Sequence, residues 1–133
     1  MLRNDTARPT RWRRLLITGA AGDIGRVIRP ALRGCAESLR LHDLRPIPDL
    51  APGEEAIQGN LAEPGATATA MHGVECLIHL AGIPREAGGT PDDIFRANVL
   101  GTYEVFTAAR QAGVRRMIFA SSNHMIGFFP PDP

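Results

Sequence analysis

The stretch Arg14-Leu15-Leu16-Ile17-Thr18-Gly19-Ala20-Ala21-Gly22-Asp23-Ile24-Gly25 carries the signature from which the rest of the chain is read. It opens on a short, continuous apolar run, the pattern of a strand buried on both faces of a parallel sheet. Three glycines follow at every third position. Gly19 permits a sharp turn, Gly22 lets a pyrophosphate approach the backbone, and Gly25 lets the next helix pack closely. The amides of that helix's first turn, at Asp23, Ile24 and Gly25, then point at phosphate charge. Glycines punctuate many loops, so a merely structural turn is the competing reading. Strand before, helix after and an acid downstream favour a dinucleotide-binding turn.

Outward from this point, strand and helix patterns alternate. A helix is predicted over 23–33, with Ile24, Val27, Ile28, Ala31 and Leu32 on one face and Pro30 imposing a kink or an early end. Residues 38–43 read as a second strand, and Pro46, Pro48 and Pro52 enforce a loop. Residues 55–58 read as a short edge strand and 64–71 as a helix. Residues 75–81 form the second strongly apolar strand. Thr90-Pro91-Asp92-Asp93 is a helix start, with a capping hydroxyl, proline at the first position and acids at the positive dipole end. That helix is predicted to reach Gln111, with Gly113 just past it. Residues 116–120 make a fifth strand. Right-handed crossovers then give a doubly wound parallel α/β sheet, Rossmann-like, in the order 3-2-1-4-5. Ligands of such sheets bind at the carboxyl ends of strands one and four, the topological switch point.

Asp43 ends the second strand, eighteen positions beyond Gly25. A carboxylate there accepts hydrogen bonds from both adenosine ribose hydroxyls and repels a 2′-phosphate, which points to NAD rather than NADP. Arg45 beside it weakens that discrimination, and a turn-forming aspartate is the alternative. Strand five ends in Ser121-Ser122-Asn123-His124-Met125-Ile126-Gly127. Consecutive polar side chains beyond an apolar strand at the switch point read as an active-site floor, or else as a hydrogen-bonded loop.

Bulk composition agrees with a soluble globular domain. The chain has 133 residues, 44% hydrophobic and 22% charged, with a net charge of +1. That balance supplies no field for nucleic acid, membrane or an acidic partner. The two cysteines, Cys35 and Cys76, fit no metal-ligand spacing, and Cys76 reads as a buried thiol. A cytoplasmic location is expected from the absence of a disulfide pattern and of a secretory segment. Residues 1–12 read as a basic N-terminal tail, with a targeting peptide or a phosphate-binding arm as alternatives. Residues 13–133 read as one NAD-binding domain, incomplete at its C-terminal end. All the cationic side chains are arginine; there is no lysine.

The Gly-x-x-Gly-x-x-Gly spacing resembles that of the extended short-chain dehydrogenase/reductase family, the NAD-dependent epimerases and dehydratases. Asn60-Leu61 is similar to the family's adenine-contacting Asp-Leu pair, with asparagine as a departure. Leu80-Ala81-Gly82 is similar to its segment along the cofactor. Asn98, in a mostly apolar helix, matches an asparagine linked to the family's catalytic proton relay, or makes a structural hydrogen bond. The Ser-Ser-Asn-His-x-Ile-Gly string resembles that of the uronate dehydrogenases within the family. The resemblance implies oxidation of galacturonate or glucuronate at C1 to an aldarolactone by NAD, with Ser122 orienting the C1 hydroxyl. It also implies that Asn123 and His124 line the sugar-acid site, and that the full-length enzyme is a homo-oligomer. Ile83-Pro84 departs from the polar pairing expected there.

The family's base is a tyrosine in a Tyr-x-x-x-Lys pair. Here the one tyrosine, Tyr103, reads as a packing residue of the long helix, and only eleven residues follow Ser122. The chain thus reads as the cofactor-binding part of a longer enzyme, inactive alone. Its uncovered fifth strand is expected to make it self-associate or fold marginally. A sugar-nucleotide epimerase or dehydratase, or a non-catalytic NAD-binding module, are the alternatives.

Overall fold

The computed structural model describes residues 11–63, 65–84 and 88–122. Five strands, β1 (Trp12–Thr18), β2 (Ala36–Asp43), β3 (Glu54–Gln58), β4 (Cys76–His79) and β5 (Arg116–Phe119), form one sheet in the order β3-β2-β1-β4-β5. Every pairing is parallel, as the order read from the sequence requires. Helices α1 (Asp23–Leu32), α2 (Ala66–Met71), α3 (Pro91–Phe95) and α4 (Gly101–Gln111) cross between them, and a π-helical turn, Arg96–Leu100, joins α3 to α4.

Side-chain alternation along the strands divides the core into two layers. Leu15, Ile17, Leu39, Leu41, Cys76 and Ile78 face α1 and receive its Ile28 and Leu32. On the opposite face Leu16 and Leu77 meet Ala70 and Met71 of α2 and Val105, Ala108 and Ala109 of α4. Each fully buried leucine or isoleucine contributes about 1.5–3 kcal/mol, so the central strands carry most of the stability.

Two buried side chains, Arg40 and Glu54, tie helices to this sheet. Arg40, on β2, donates through Nη1 to the carbonyls of Ala70 (2.8 Å) and His72 (2.9 Å), and through Nε to Glu55 (2.9 Å). It thereby supplies the cation and the donors that the short α2 needs at its C-terminal end. Glu54, at the start of β3, accepts from Arg29 of α1, from Arg33 just past its end and from the Ala51 amide.

Several sequence expectations are corrected. α1 runs through Pro30 and ends at Leu32, because proline in the last turn removes only one ladder bond. Its buried face is Gly25 with Ile28 and Leu32; Ile24, Val27 (77% exposed) and Ala31 face outward. β1 begins at Trp12, inside the expected tail, and β2 begins at Ala36, while β4 stops at His79 and β5 at Phe119. The helix expected over residues 64–71 spans Ala66–Met71. Tyr103 does not pack into the core; it is 66% exposed. Met117, Ile118 and Phe119 of β5 are exposed too. Cys76 is buried and Cys35 exposed. Among the described residues no helix is long and apolar enough to cross a membrane.

Two histidines cross the carboxyl end of the sheet on either side of Thr18, which pairs with His42 on β2 and His79 on β4. His79 is 2% exposed; its Nδ1 shares a 2.6 Å hydrogen bond with Thr18 Oγ1 and its Nε2 a 3.2 Å one with Thr102. Phe119 stacks on its ring. Burial, then the nearby His42, push His79 down to about 4, and burial likewise lowers His42, whose ring nitrogens find no hydrogen-bond partner among the described residues. An unfolded chain binds these protons near pH 6.5, where the native state refuses them. Stability is therefore undiminished above about pH 6.5 and falls as the pH drops toward 4. Urea melts at pH 7.5 and 5 are expected to differ by about 2 kcal/mol from His79 alone. Equal melts would show that His79 takes up its proton as readily in the folded chain as in the unfolded one.

Candidate functional site

The carboxyl ends of β1 and β4 meet at the glycine turn, and the packing there explains each glycine. Gly19 adopts φ +72°, the left-handed region that favours glycine. A Cβ on it would lie 2.7 Å from the Ala81 amide nitrogen, so this turn is wedged against the chain leaving β4. Gly25 is the tightest. Its Cβ would stand 2.5 Å from the Gly19 carbonyl oxygen, so it lets α1 approach the turn itself rather than the sheet. At Gly22 the nearest atom to such a Cβ is that same oxygen, at 3.1 Å.

α1 starts at Gly22 with no side-chain cap. The amides of its first turn, from Asp23 to Gly25, are left for a ligand or water. The start of α3 differs: Thr90 Oγ1 accepts from the Asp93 amide while Asp93 accepts from that of Thr90, a complete capping box. A capped start answers its own amides; the glycine turn leaves them available, with the positive end of the helix dipole behind them.

Asp43 stands at this mouth, buried, with its carboxylate already oriented. Oδ2 accepts from the Ala21 amide at 2.9 Å, and Oδ1 accepts from the Arg45 amide at 3.0 Å and from Arg45 Nε at 3.3 Å. Carboxylate oxygens carry further acceptor sites, so ribose hydroxyls can be received without breaking the amide contacts.

The other expected positions fall around this centre in different ways. Asn60 is exposed, and its Oδ1 accepts from the Ala62 amide at 3.0 Å, a self-contained turn. Leu61 is buried in the core with Leu16 and Met71, so only its backbone is offered to a ligand. Leu80 packs toward the α1 face and Ala81 toward the α2 and α4 face, which leaves their backbone beside Gly19. Gly82 is held close to Asn98, whose Oδ1 would lie 3.0 Å from a Cβ there.

Asn98 is half-buried and engaged at both ends of its amide: Oδ1 accepts from the Ile83 amide at 2.7 Å and Nδ2 donates to the Ile83 carbonyl at 2.9 Å. It lies in the π-helical turn, a feature sequence periodicity did not disclose. The two bonds clamp the loop leaving β4. Asn98→Ala is expected to lower stability by about 1–3 kcal/mol and to speed hydrogen exchange at the Ile83 amide. Unchanged exchange there would show that the clamp does not hold the loop. Ser122 lies exposed just beyond β5, at the end of the described segment. Asn123 and His124 fall outside the described residues.

The sequence offers a structural hydrogen bond as one reading of Asn98 and sets Arg45 beside Asp43, but no periodic pattern identifies the Ile83 backbone as the partner of Asn98.

A parallel, doubly wound sheet with an uncapped glycine turn at its switch point and an acid at the end of β2 defines a dinucleotide-binding, Rossmann-like fold. Comparison with known proteins makes this specific. Residues 15–133 match the NAD dependent epimerase/dehydratase family, and the chain belongs to it. It is 46% identical over 124 residues to the uronate dehydrogenase of Pseudomonas putida, covering 92% of this chain and 46% of that protein. With the uronate dehydrogenase of Agrobacterium fabrum it shares 44% identity over 118 residues, covering 89% of this chain and 44% of that protein. A crystal structure of an Agrobacterium tumefaciens uronate dehydrogenase variant complexed with NAD superposes with a TM-score of 0.83 at 44% identity. That match covers 90% of this chain and 44% of the other. The chain thus spans less than half the length of these relatives.

Proposed function

We propose that this chain is the cofactor-binding part of an NAD-dependent dehydrogenase that oxidises a uronic acid, galacturonate or glucuronate, at C1 to the aldarolactone. The observation that carries the reading is the Asp43 carboxylate, fixed by the Ala21 amide at the mouth of an uncapped glycine turn. The residues present fit NAD. Gly19, Gly22 and Gly25 open the turn, and the first-turn amides of α1, at Asp23, Ile24 and Gly25, face the pyrophosphate. Asp43 receives the adenosine ribose; Asn60 and the backbone of Leu61 border the adenine. Leu80, Ala81 and Gly82 line the cofactor by their backbone, held in place by Asn98.

Bound NAD supplies the hydride acceptor. Ser122 orients the sugar hydroxyl, and Asn123 and His124 bind the sugar acid. Asn98 acts as a positioning residue, since both ends of its amide already hold Ile83. The similarity to uronate dehydrogenases and the Ser121-to-Gly127 string support the substrate class. The proton acceptor is not among the described residues: Tyr103 has no lysine partner and sits on an exposed helix surface.

Adding galacturonate and NAD to the full-length protein that contains this chain is expected to release NADH. Ser122→Ala should lower kcat/KM by about 100-fold or more. Turnover of a nucleotide-linked sugar in place of the free uronic acid would reassign the substrate, and NAD binding without turnover of either would make the chain a binding module.

A further inference from the structure

His79, at the end of β4, is a buried titratable group that the proposed function leaves without a role. Its ring is fixed by Phe119, stacked at 5.6 Å between centroids, and by Phe106, edge-on at 6.0 Å. Nδ1 lies 2.6 Å from Thr18 Oγ1, and Nε2 lies 3.2 Å from Thr102 Oγ1. Thr18 in turn holds two successive amides of the chain leaving β4. Its carbonyl accepts from Leu80 at 3.1 Å and its hydroxyl oxygen from Ala81 at 3.4 Å. The second contact is near the outer limit of a hydrogen bond, so it depends on where the hydroxyl points.

The balance of donors and acceptors sets the direction of each bond. Thr18 is fully buried, and among the described residues its hydroxyl proton has His79 Nδ1 as its acceptor. A proton on Nδ1 would instead point at the hydroxyl oxygen and leave the hydroxyl proton buried and unpaired, which is costly. The neutral imidazole protonated at Nε2 satisfies every group. Ala81 N–H donates to Thr18 Oγ1, the Thr18 hydroxyl donates to Nδ1, and Nε2–H donates to Thr102 Oγ1. Burial, which holds His79 down at about 4, keeps this neutral form at pH 7. We infer that His79 is a positioning residue of the cofactor site: its unprotonated Nδ1 holds the Thr18 hydroxyl so that the oxygen faces the Ala81 amide and fixes the Leu80-Ala81-Gly82 backbone beside Gly19. The inference rests on the proposed reading that this backbone lines a dinucleotide.

Nitrogen NMR of the imidazole, hydrogen exchange at the Ala81 amide and calorimetric titration with NAD test this together. The unmodified chain is expected to carry the His79 proton on Nε2 alone. His79→Asn places a carbonyl oxygen near the position of Nδ1 and should keep NAD affinity within about threefold. His79→Gln reaches instead to the position of Nε2. It should speed exchange at Ala81 and weaken NAD by about tenfold. Thr102→Val unties the far nitrogen and should leave both readouts close to those of the unmodified chain. A proton on Nδ1 would overturn the inference, and that measurement needs no variant. Equal NAD affinity in His79→Asn and His79→Gln would overturn it too, as would a loss in Thr102→Val as large as in His79→Gln, which would reduce the ring to general support. No NAD binding by the unmodified chain would instead refute the cofactor site itself, while the tautomer and the Ala81 exchange would still report the hydrogen-bond chain.

Discussion

Gly25→Ala is expected to abolish NAD binding and to lower stability by roughly 2–3 kcal/mol. Helix propensity alone argues the other way, since alanine in a helix interior is favoured over glycine by up to about 1 kcal/mol. Packing decides the sign. The new methyl would lie 2.5 Å from the Gly19 carbonyl oxygen and 2.7 and 2.8 Å from backbone atoms of Ala20. None of these is the end of a flexible side chain. Relief requires moving the turn, but Gly19 is itself wedged against Ala81 and Leu80. The strain therefore passes from α1 through the turn to the exit of β4, the surfaces that would hold a dinucleotide. Gly22→Ala serves as the comparison. Its nearest contact is 3.1 Å, so it should fold nearly as well while the added methyl screens the first-turn amides. Urea melts and NAD titrations of both variants check this; a Gly25→Ala chain that melts like the parent and binds NAD equally well would contradict it.

Glu54→Gln is the second change with a large expected effect, a destabilisation of about 3–5 kcal/mol. The Glu54 side chain is 1% exposed and accepts from Arg29 Nη2 at 2.6 Å, Arg29 Nε at 3.1 Å, Arg33 Nε at 3.0 Å and the Ala51 amide at 2.7 Å. The Arg29 hydrogen bonds hold its carboxyl at about 2 against the opposing effect of burial, with the Ala51 amide and Arg33 adding to them. An amide in its place presents donors to two guanidinium groups and strands Arg29 largely out of water. Acid should reproduce the loss. The folded value lies below that of the unfolded chain, so this contribution is complete above about pH 4.5 and vanishes as the pH falls toward 2. The histidine effect is set apart by its window, since it begins nearer pH 6.5. Chemical melts from pH 7 to pH 2.5 should show the Glu54 step in the parent and not in Glu54→Gln. A variant as stable as the parent at pH 7 would contradict the assignment.

The main topology was legible because it rests on local signals that reinforce one another. Buried parallel strands read as apolar runs, the glycine spacing marks a strand-to-helix turn, and Thr90-Pro91 announces a helix. In the candidate site, the placing of Gly19, Gly22, Gly25 and Asp43 around one turn was legible, because a strand-to-helix turn and an acid at a strand end are local features. What stayed hidden depends on tertiary neighbours. Glu54 lies just outside the edge strand read over residues 55–58, and only the approach of α1 buries it between Arg29 and Arg33. Arg40 is a cation in an apolar strand whose partners are backbone carbonyls at the end of α2. Periodicity placed Ile24 and Val27 on the buried face, but the turn packs against Gly25, so the face of α1 that meets the protein is Gly25, Ile28 and Leu32, and Ile24 and Val27 face outward. Leu61 reads as a ligand contact from its neighbours in sequence, but that its side chain belongs to the core, leaving only its backbone to a ligand, follows from packing. Asn98 gave a clear signal as a polar residue among apolar ones, yet its partner, the Ile83 backbone, follows from the π-helical turn.

Calorimetric titration of NAD into the unmodified chain and into Asp43→Ala tests the central claim most directly. The expected result is one NAD bound per chain, with affinity lower by about tenfold or more in Asp43→Ala, the loss of charge-assisted bonds to the ribose. No binding by the unmodified chain, or an Asp43→Ala chain that binds NAD equally well, would contradict the assignment of the glycine turn and Asp43 as an NAD site.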